Sequence, residues 1–141
     1  MKPTKILNSM KLEVAAVSSN ESFVRTTVAA FAAQLDPTLD EINDLKTAIS
    51  EAVTNSIVHS NTKRILIEAT LVDRTISVTV TDFGIGIANI EKALEPFYTT
   101  KPDQERSGMG FTVMQSFMSS LSVANGSDCG TVVEMTKVFG G

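Results

Sequence analysis

The chain has 141 residues, of which 43% are hydrophobic and 20% charged, and this predicts one globular domain over residues 1–141. The net charge of −4 argues against direct binding to nucleic acid, which needs a basic face. The single cysteine, Cys129, excludes an internal disulfide framework and a cysteine-based zinc site. No apolar run approaches the ~20 residues that span a bilayer, and no signal-peptide core is present, so we expect a cytoplasmic protein.

The first elements predicted in chain order are an edge strand and a helix. The segment SMKLEVAAV alternates weakly between apolar and polar residues, which indicates a strand at the edge of a sheet. Residues 1–9 are expected to form a flexible N-terminal extension. A capping-box pattern at Ser18 and Glu21, followed by apolar residues three or four positions apart, predicts a helix that the sequence DP ends.

A second capping box, at Thr38 and Glu41, predicts the start of a long helix that carries a polar row. Glu51, Asn55 and His59 follow one another at steps of four, and each step turns an α-helix only ~40° beyond a full circle. The three side chains therefore lie on one face. Such a row is either a solvent-exposed helix face or the wall of a site. For His59 the preferred interpretation is a structural role.

The second half of the chain predicts a hairpin, two more helices and a closing pair of strands. The segments RILIEATLV and TISVTVTD indicate an antiparallel hairpin, because only two residues separate them. One helix is predicted near NIEKALE and another after the glycines of GMGFTVMQSFM. The order of elements predicts an α+β fold, a two-layer sandwich with a mixed, mostly antiparallel sheet and helices on one face.

The segment TVTDFGIGI places a carboxylate and two glycines at the end of a strand. Asp82 can accept a hydrogen bond from an exocyclic amine such as that of adenine, while Gly84 and Gly86 permit positive φ and close approach of the backbone to a ligand. The alternative is an Asp-initiated turn between two elements. The dinucleotide-binding fingerprint is excluded, because its third glycine would fall on Asn89.

The segment TTKPDQERSGMGF joins a polar loop to the glycine-containing start of a helix. Backbone amides at a helix start, together with the positive end of the helix dipole, form an anion site. Lys101 and Arg106 on the loop would complete a lid over phosphates, and Ser107, Gly108 and Gly110 open the helix. A solvated surface loop is the alternative, and the spacing does not match a P-loop.

The order of these motifs resembles the ATP-binding (Bergerat-type) fold shared by gyrase, a class of heat-shock chaperones, histidine kinases and MutL. The resemblance rests on E-x-x-x-N in a helix, D-x-G-x-G after a strand, G-x-G at a later helix start and GT before the last strand. The stretches NESFVRTTVAAFAAQLDPTLDEINDLKTAISEAVTN and FYTTKPDQERSGMGFTVMQSFM are further similar to the anti-sigma-F factors of sporulating bacteria, which are serine-protein kinases. This second resemblance covers nearly the whole chain from about Leu12.

The resemblance implies a role for each residue of the site. Asn55 would hold Mg²⁺, Glu51 would be the general base, and Asp82 would receive the adenine amine. Arg25 on the first helix would contact a partner protein. The other residues expected to bind ATP or ADP are Gly84, Gly86, Thr100, Lys101, Arg106, Ser107, Gly108, Met109, Gly110, Phe111 and Thr131.

The resemblance also implies a function. Such proteins bind and inhibit a sporulation sigma factor, and they phosphorylate a serine of an anti-anti-sigma protein with ATP and Mg²⁺. They work as homodimers, and no direct contact with nucleic acid or membrane is expected. The alternatives are an anti-sigma kinase of a stress-response pathway, an ATP-regulated binding protein without kinase activity, and a detached histidine-kinase catalytic domain. The last is disfavoured, because this length holds no phosphoacceptor helix pair and because Glu51 occupies the base position.

One departure from the family follows His59. Family members usually continue through a longer loop that contains Gly, Tyr and Asn, whereas here HSNTKRIL leads almost directly into the next strand. That loop borders the nucleotide site, so its shortening bears on nucleotide affinity or exchange, although not on the existence of the site.

Overall fold

The computed structural model describes residues 6–86, 94, 110–126 and 130–140. Its strands are β1 (Ile6–Ala15), β2 (Arg64–Val72), β3 (Thr75–Asp82), β4 (Ser120–Asn125) and β5 (Thr131–Val138). Its helices are α1 (Ser19–Ala32), which continues as a 3₁₀ turn (Ala33–Leu35), α2 (Leu39–His59) and α3 (Gly110–Phe117). Within the described residues no helix is long and apolar enough to cross a membrane.

The five strands form one sheet in the order β1-β2-β3-β5-β4. The predicted α+β class is confirmed, and β1 lies at the edge as expected. All four described pairings are antiparallel, so the described sheet is more uniform than the mixed sheet that we expected. Two helices separate β1 from β2, in place of the single crossover helix that joins parallel neighbours, and the strands therefore run in opposite directions.

One face of the sheet packs against the helices. Buried and half-buried residues alternate along β2 and β3, as expected for strands with one face in the core. The core is a single cluster of apolar side chains from both layers. Its fully buried members include Val24, Val28, Leu45, Ile49, Val53, Ile65, Ile67, Leu71, Ile76, Val78 and Met114.

Residues 6–9 belong to β1, so the prediction of a flexible extension is wrong for this segment. Ile6 pairs with Val72 and Asn8 pairs with Leu71, with a register shift between the two pairs. The backbone polar groups at the end of β2 need partners, and β1 supplies them along the edge. The alternation of apolar and polar side chains does not indicate where backbone groups need hydrogen-bond partners. The sequence pattern therefore placed the start of β1 too late.

The two predicted capping boxes have different outcomes. Ser18 has helical backbone angles, and its side chain makes no capping hydrogen bond within the described residues; Glu21 instead forms an ion pair of 3.1 Å with Arg25. The second box is confirmed. Thr38 is extended, its hydroxyl accepts from the Glu41 backbone at 3.1 Å, and the Glu41 carboxylate accepts from the Thr38 backbone at 2.8 Å. The extended backbone at the cap decides the difference, because it turns the hydroxyl towards the helix start.

The predicted hairpin between β2 and β3 is confirmed, and its first turn residue, Asp73, has a φ of 54°. The helix expected near NIEKALE falls outside the described residues, except for residue 94, which lies in a turn. Cys129 also falls outside them.

Candidate functional site

Asp82, the last residue of β3, is 2% exposed and accepts four hydrogen bonds from described residues. Its Oδ2 accepts from the hydroxyls of Ser56 at 3.1 Å and Ser60 at 2.7 Å. Its Oδ1 accepts from the backbone N–H groups of Gly84 and Thr131, both at 3.1 Å. A carboxylate offers about four lone-pair positions, so each position here has a donor. This set of donors stabilises a buried charge that would otherwise be costly.

Glycines allow the backbone to approach closely on both sides of Asp82. A Cβ atom on Gly84 would overlap the carbonyl oxygen of Ser60, and one on Gly130 would overlap the carbonyl oxygen of Asp82. Gly86 has a φ of 76°, in the left-handed region that favours glycine. Backbone geometry alone therefore requires glycine at 84 and 130 and favours it at 86.

Thr131, the first residue of β5, donates its backbone N–H to this carboxylate and carries a buried hydroxyl. The residue is 4% exposed, and its Oγ1 has no hydrogen-bond partner among the described residues. Leaving a buried polar group unpaired costs about 1–3 kcal/mol. A hydroxyl in this position is suited to the polar edge of a ligand, which would supply the missing hydrogen bond.

The short connection between α2 and β2 contacts the segment that follows β3. The Thr62 hydroxyl accepts from the backbone N–H of Phe83 at 3.0 Å and donates to the carbonyl of Arg64 at 2.7 Å. The backbone N–H of Ile85 donates to the carbonyl of Ser60 at 2.8 Å. The Arg64 guanidinium lies 3.8 Å from the centroid of the Phe83 ring, at cation–π distance. The connection and the segment after β3 thus form one hydrogen-bonded unit.

The polar row of α2 lies beside the core and not within it. Glu51, Asn55 and His59 are half-buried, whereas the positions that face the sheet, such as Val53 and Ser56, are buried. Glu51 lines an open cavity of about 350 Å³ together with Arg25, Asn43, Lys46, Thr47 and Ser50. The structure therefore brings Glu51 and Arg25, which the sequence analysis assigned to different roles, to the same cavity.

The expected phosphate-binding segment is only partly described. Gly110 begins α3, and Phe111 is half-buried and packs against the core. Thr100, Lys101, Arg106, Ser107, Gly108 and Met109 lie outside the described residues. Of the predicted site residues, Asp82, Gly84 and Thr131 are in direct contact through hydrogen bonds.

Sequence reasoning assigned no role to four residues of this site: Ser56, Ser60, Thr62 and Gly130. A signal for the two serines exists, because they continue the core-facing stripe of α2 at steps of three or four after Val53. A hydroxyl at such a position needs a partner from the sheet. Gly130 belongs to the GT motif before the last strand, to which the resemblance gave no role for the glycine, whereas Thr62 carries no comparable signal, because its partner comes from a distant part of the chain.

Comparison with known proteins places this geometry in a family. Residues 15–137 match the family described as histidine kinase-like ATPase domain. The anti-sigma F factor of Clostridium kluyveri is 56% identical over 135 residues, covering 94% of this chain and 95% of the relative. The anti-sigma F factor of Clostridium perfringens is 55% identical over 134 residues, covering 92% and 96%. That of Bacillus licheniformis is 49% identical over 134 residues, covering 92% of each chain.

A solved structure supports the fold. The RsbU and RsbW domains of a Mycobacterium tuberculosis protein superpose with a TM-score of 0.68 at 18% identity, covering 94% of this chain and 32% of that one. At this identity the likeness concerns the fold alone. The sequence relatives carry the assignment further, because they match over nearly their whole length. The chain therefore belongs to the family of anti-sigma F factors and contains a histidine kinase-like ATPase domain.

Proposed function

We propose that this protein binds and inhibits a sporulation sigma factor and, with Mg²⁺ and ATP, phosphorylates a serine of an anti-anti-sigma protein. It is thus a protein serine kinase as well as an inhibitor, acting as a homodimer. The observation that carries the nucleotide-binding part is the buried carboxylate of Asp82 together with the buried hydroxyl of Thr131, which has no hydrogen-bond partner among the described residues.

The end of β3 has the chemistry of an adenine site. The carboxylate of Asp82 accepts from an amine, and Thr131 offers a hydroxyl that can donate or accept at the neighbouring edge of the base. Gly84 and Gly86 keep the adjoining backbone free of bulky side chains. Guanine carries an oxygen where adenine carries its amine, so this arrangement favours adenine nucleotides, either ATP or ADP.

The polar row of α2 supplies the groups for phosphoryl transfer. Asn55 is suited to Mg²⁺, because the ion takes most of its ligands from phosphates and water and needs only a neutral oxygen here. The ion would neutralise charge on the phosphates. Glu51, one turn earlier, accepts the proton of the acceptor serine as its oxygen forms a bond to the γ-phosphorus and the bond to ADP breaks.

A second group of residues would bind the phosphate groups of the nucleotide. Lys101 and Arg106 would pair with the phosphate charges, and backbone amides at the start of α3 would donate to phosphate oxygens. The remaining residues proposed to bind the nucleotide are Thr100, Ser107, Gly108, Met109, Gly110 and Phe111.

The cavity beside Glu51 suits a protein substrate. Arg25 from α1 lines this cavity, which is open to solvent. A partner that contacts Arg25 therefore comes within reach of Glu51, as transfer to a serine requires. The names of the relatives indicate a sigma factor as the inhibited partner, and we extend this to the present chain.

One assay separates the kinase from a nucleotide-regulated binding protein. Transfer of labelled γ-phosphate to the anti-anti-sigma protein is measured beside sigma binding on the same samples. The kinase proposal requires both activities in the unmodified protein. Sigma binding that depends on ATP, without any transfer, would favour the binding-protein alternative. Mass spectrometry of the sigma factor captured from sporulating cells decides between sporulation and stress response.

A further inference from the structure

We propose that Ser60 and Thr62, in the connection between α2 and β2, are positioning residues that hold Asp82 in the geometry that selects an amine-bearing base. This inference rests on the proposed function, because it concerns the same base site. It assigns a role to the short connection that replaces the longer loop expected from the family resemblance.

Ser60 holds the segment after β3 at two points. Its hydroxyl donates to Asp82 at 2.7 Å, and its carbonyl accepts from the backbone N–H of Ile85 at 2.8 Å. The residue is 6% exposed, and Gly84 packs directly against its carbonyl group. One residue of the connection thus fixes both the carboxylate and the backbone three positions later.

Thr62 fixes the residue in between. Its hydroxyl donates to the carbonyl of Arg64, and this orients the oxygen lone pairs towards the N–H of Phe83. Arg64 then covers the Phe83 ring and forms an ion pair of 2.8 Å with Glu13 of β1. The connection therefore contacts both the carboxylate of Asp82 and the backbone N–H of Phe83. Such contacts keep a binding group within the narrow range of positions that selective binding needs.

The two serines on Asp82 have different roles in this arrangement. All four acceptor positions have donors, so an incoming amine must replace or share one of them. The backbone amides of Gly84 and Thr131 are fixed, whereas hydroxyls rotate. The bond from Ser56 is longer, at 3.1 Å against 2.7 Å for Ser60. Ser56 is therefore the donor that yields, while Ser60 continues to orient the carboxylate.

This difference gives a matched pair of variants. Ser60→Ala and Ser56→Ala each remove one buried hydroxyl from the same carboxylate oxygen, and Thr62→Val removes the second positioning hydroxyl while keeping the side-chain shape. Each variant is titrated by calorimetry with ATP and with ITP, which carries an oxygen in place of the 6-amine but has the same ribose and phosphates. Amide hydrogen exchange of Phe83 and Gly84, followed by NMR without nucleotide, reports the position of the segment independently of binding.

We expect Ser60→Ala and Thr62→Val to weaken ATP binding roughly five- to tenfold, which corresponds to the usual net contribution of one hydrogen bond. ITP binding should change less than about twofold, so the preference for ATP over ITP should decrease. Ser56→Ala should weaken ATP binding less than Ser60→Ala does, because the longer hydrogen bond of Ser56 is the one that gives way to the incoming amine. Exchange at Phe83 should accelerate in Thr62→Val, and exchange at Gly84 should accelerate in Ser60→Ala.

Other results overturn the inference. A parallel loss of ATP and ITP affinity would mean that the hydroxyls only stabilise the fold, and an equal loss in Ser56→Ala would remove the distinction between the serines. Faster amide exchange at Phe83 or Gly84, with an unchanged preference for ATP over ITP, would mean that the position of this segment does not determine which base is bound. Failure of the unmodified protein to prefer ATP over ITP would instead defeat the proposed role of Asp82 itself, and the inference with it.

Discussion

The backbone N–H of Thr131 donates to the Oδ1 of Asp82 at 3.1 Å, across a sequence separation of 49 residues. The hydrogen bond joins the start of β5 to the end of β3 and brings the two side chains assigned to the base site together. Asp82 is the more constrained of the two, because four donors surround it, whereas the Thr131 hydroxyl is unpartnered among the described residues. The two residues should therefore respond differently to substitution.

Asp82→Asn should weaken both ATP binding and the fold. An amide nitrogen would face donors that now face a carboxylate oxygen, which leaves at least one buried donor without a partner, and we expect a loss of about 1–3 kcal/mol in each. Calorimetry with ATP and denaturant unfolding measure the two losses. Asp73→Asn in the exposed hairpin is the control. Equal affinity of the unmodified protein for ATP and GTP would contradict the assignment of Asp82.

Thr131→Val should separate binding from stability. The hydroxyl lacks a partner among the described residues, so its removal should leave the melting temperature unchanged or slightly higher. ATP binding should weaken by about 1 kcal/mol, the usual net worth of one hydrogen bond. Thr81→Val, on the opposite face of β3, is the control. A variant that binds ATP as well as the unmodified protein would exclude the hydroxyl from the site.

Glycine substitutions should distinguish close backbone contact from a merely exposed turn. Gly130→Ala places a Cβ atom against the carbonyl of Asp82, and the strand must shift, at a cost of about 1–3 kcal/mol or more. Gly126→Ala is the matched control, because its Cβ would lie 3.4 Å from the Val132 side chain and the neighbour needs to give very little. Denaturant unfolding of both variants tests this. Equal stability of the two would mean that the approach at Gly130 is not constrained.

Much of this arrangement follows from local sequence patterns. Alternation predicted the hairpin of β2 and β3, and the Thr38 capping box predicted the start of α2, because both patterns act through neighbouring residues. The missed features depend on distant partners. Thr62 bonds to Phe83 across 21 positions, and the requirement for Gly130 arises only where β5 meets Asp82. At Ser18 the sequence pattern predicted a cap that does not form, because the backbone of this residue is helical.

Acid should destabilise the protein in part through Glu41. Hydrogen bonds from the backbone of Thr38 and then of Gly140 lower the pKa of this carboxyl group. A lowered pKa means that the folded state prefers the ionised form, so the contribution is complete above the pKa of the unfolded chain and is lost as the pH falls through the folded value. Unfolding free energies of the unmodified protein and Glu41→Gln, measured from neutral pH to pH values below that pKa, should converge as the pH falls. A constant difference between them would exclude this contribution.

Glu51→Gln and Asn55→Ala should fail in different ways. Glutamine keeps the size and hydrogen bonding of Glu51 but cannot take a proton, so ATP should still bind while phosphoryl transfer falls roughly 10²–10⁴-fold, the usual worth of general base catalysis. Asn55→Ala should instead weaken the binding of Mg²⁺ with ATP. Both variants should fold, because the two side chains are half-buried beside the core and not within it. Transfer of labelled phosphate to the anti-anti-sigma protein is measured beside ATP binding and sigma binding. Transfer at the unmodified rate by Glu51→Gln would show that another group takes the proton, and the α2 row would then need a different explanation.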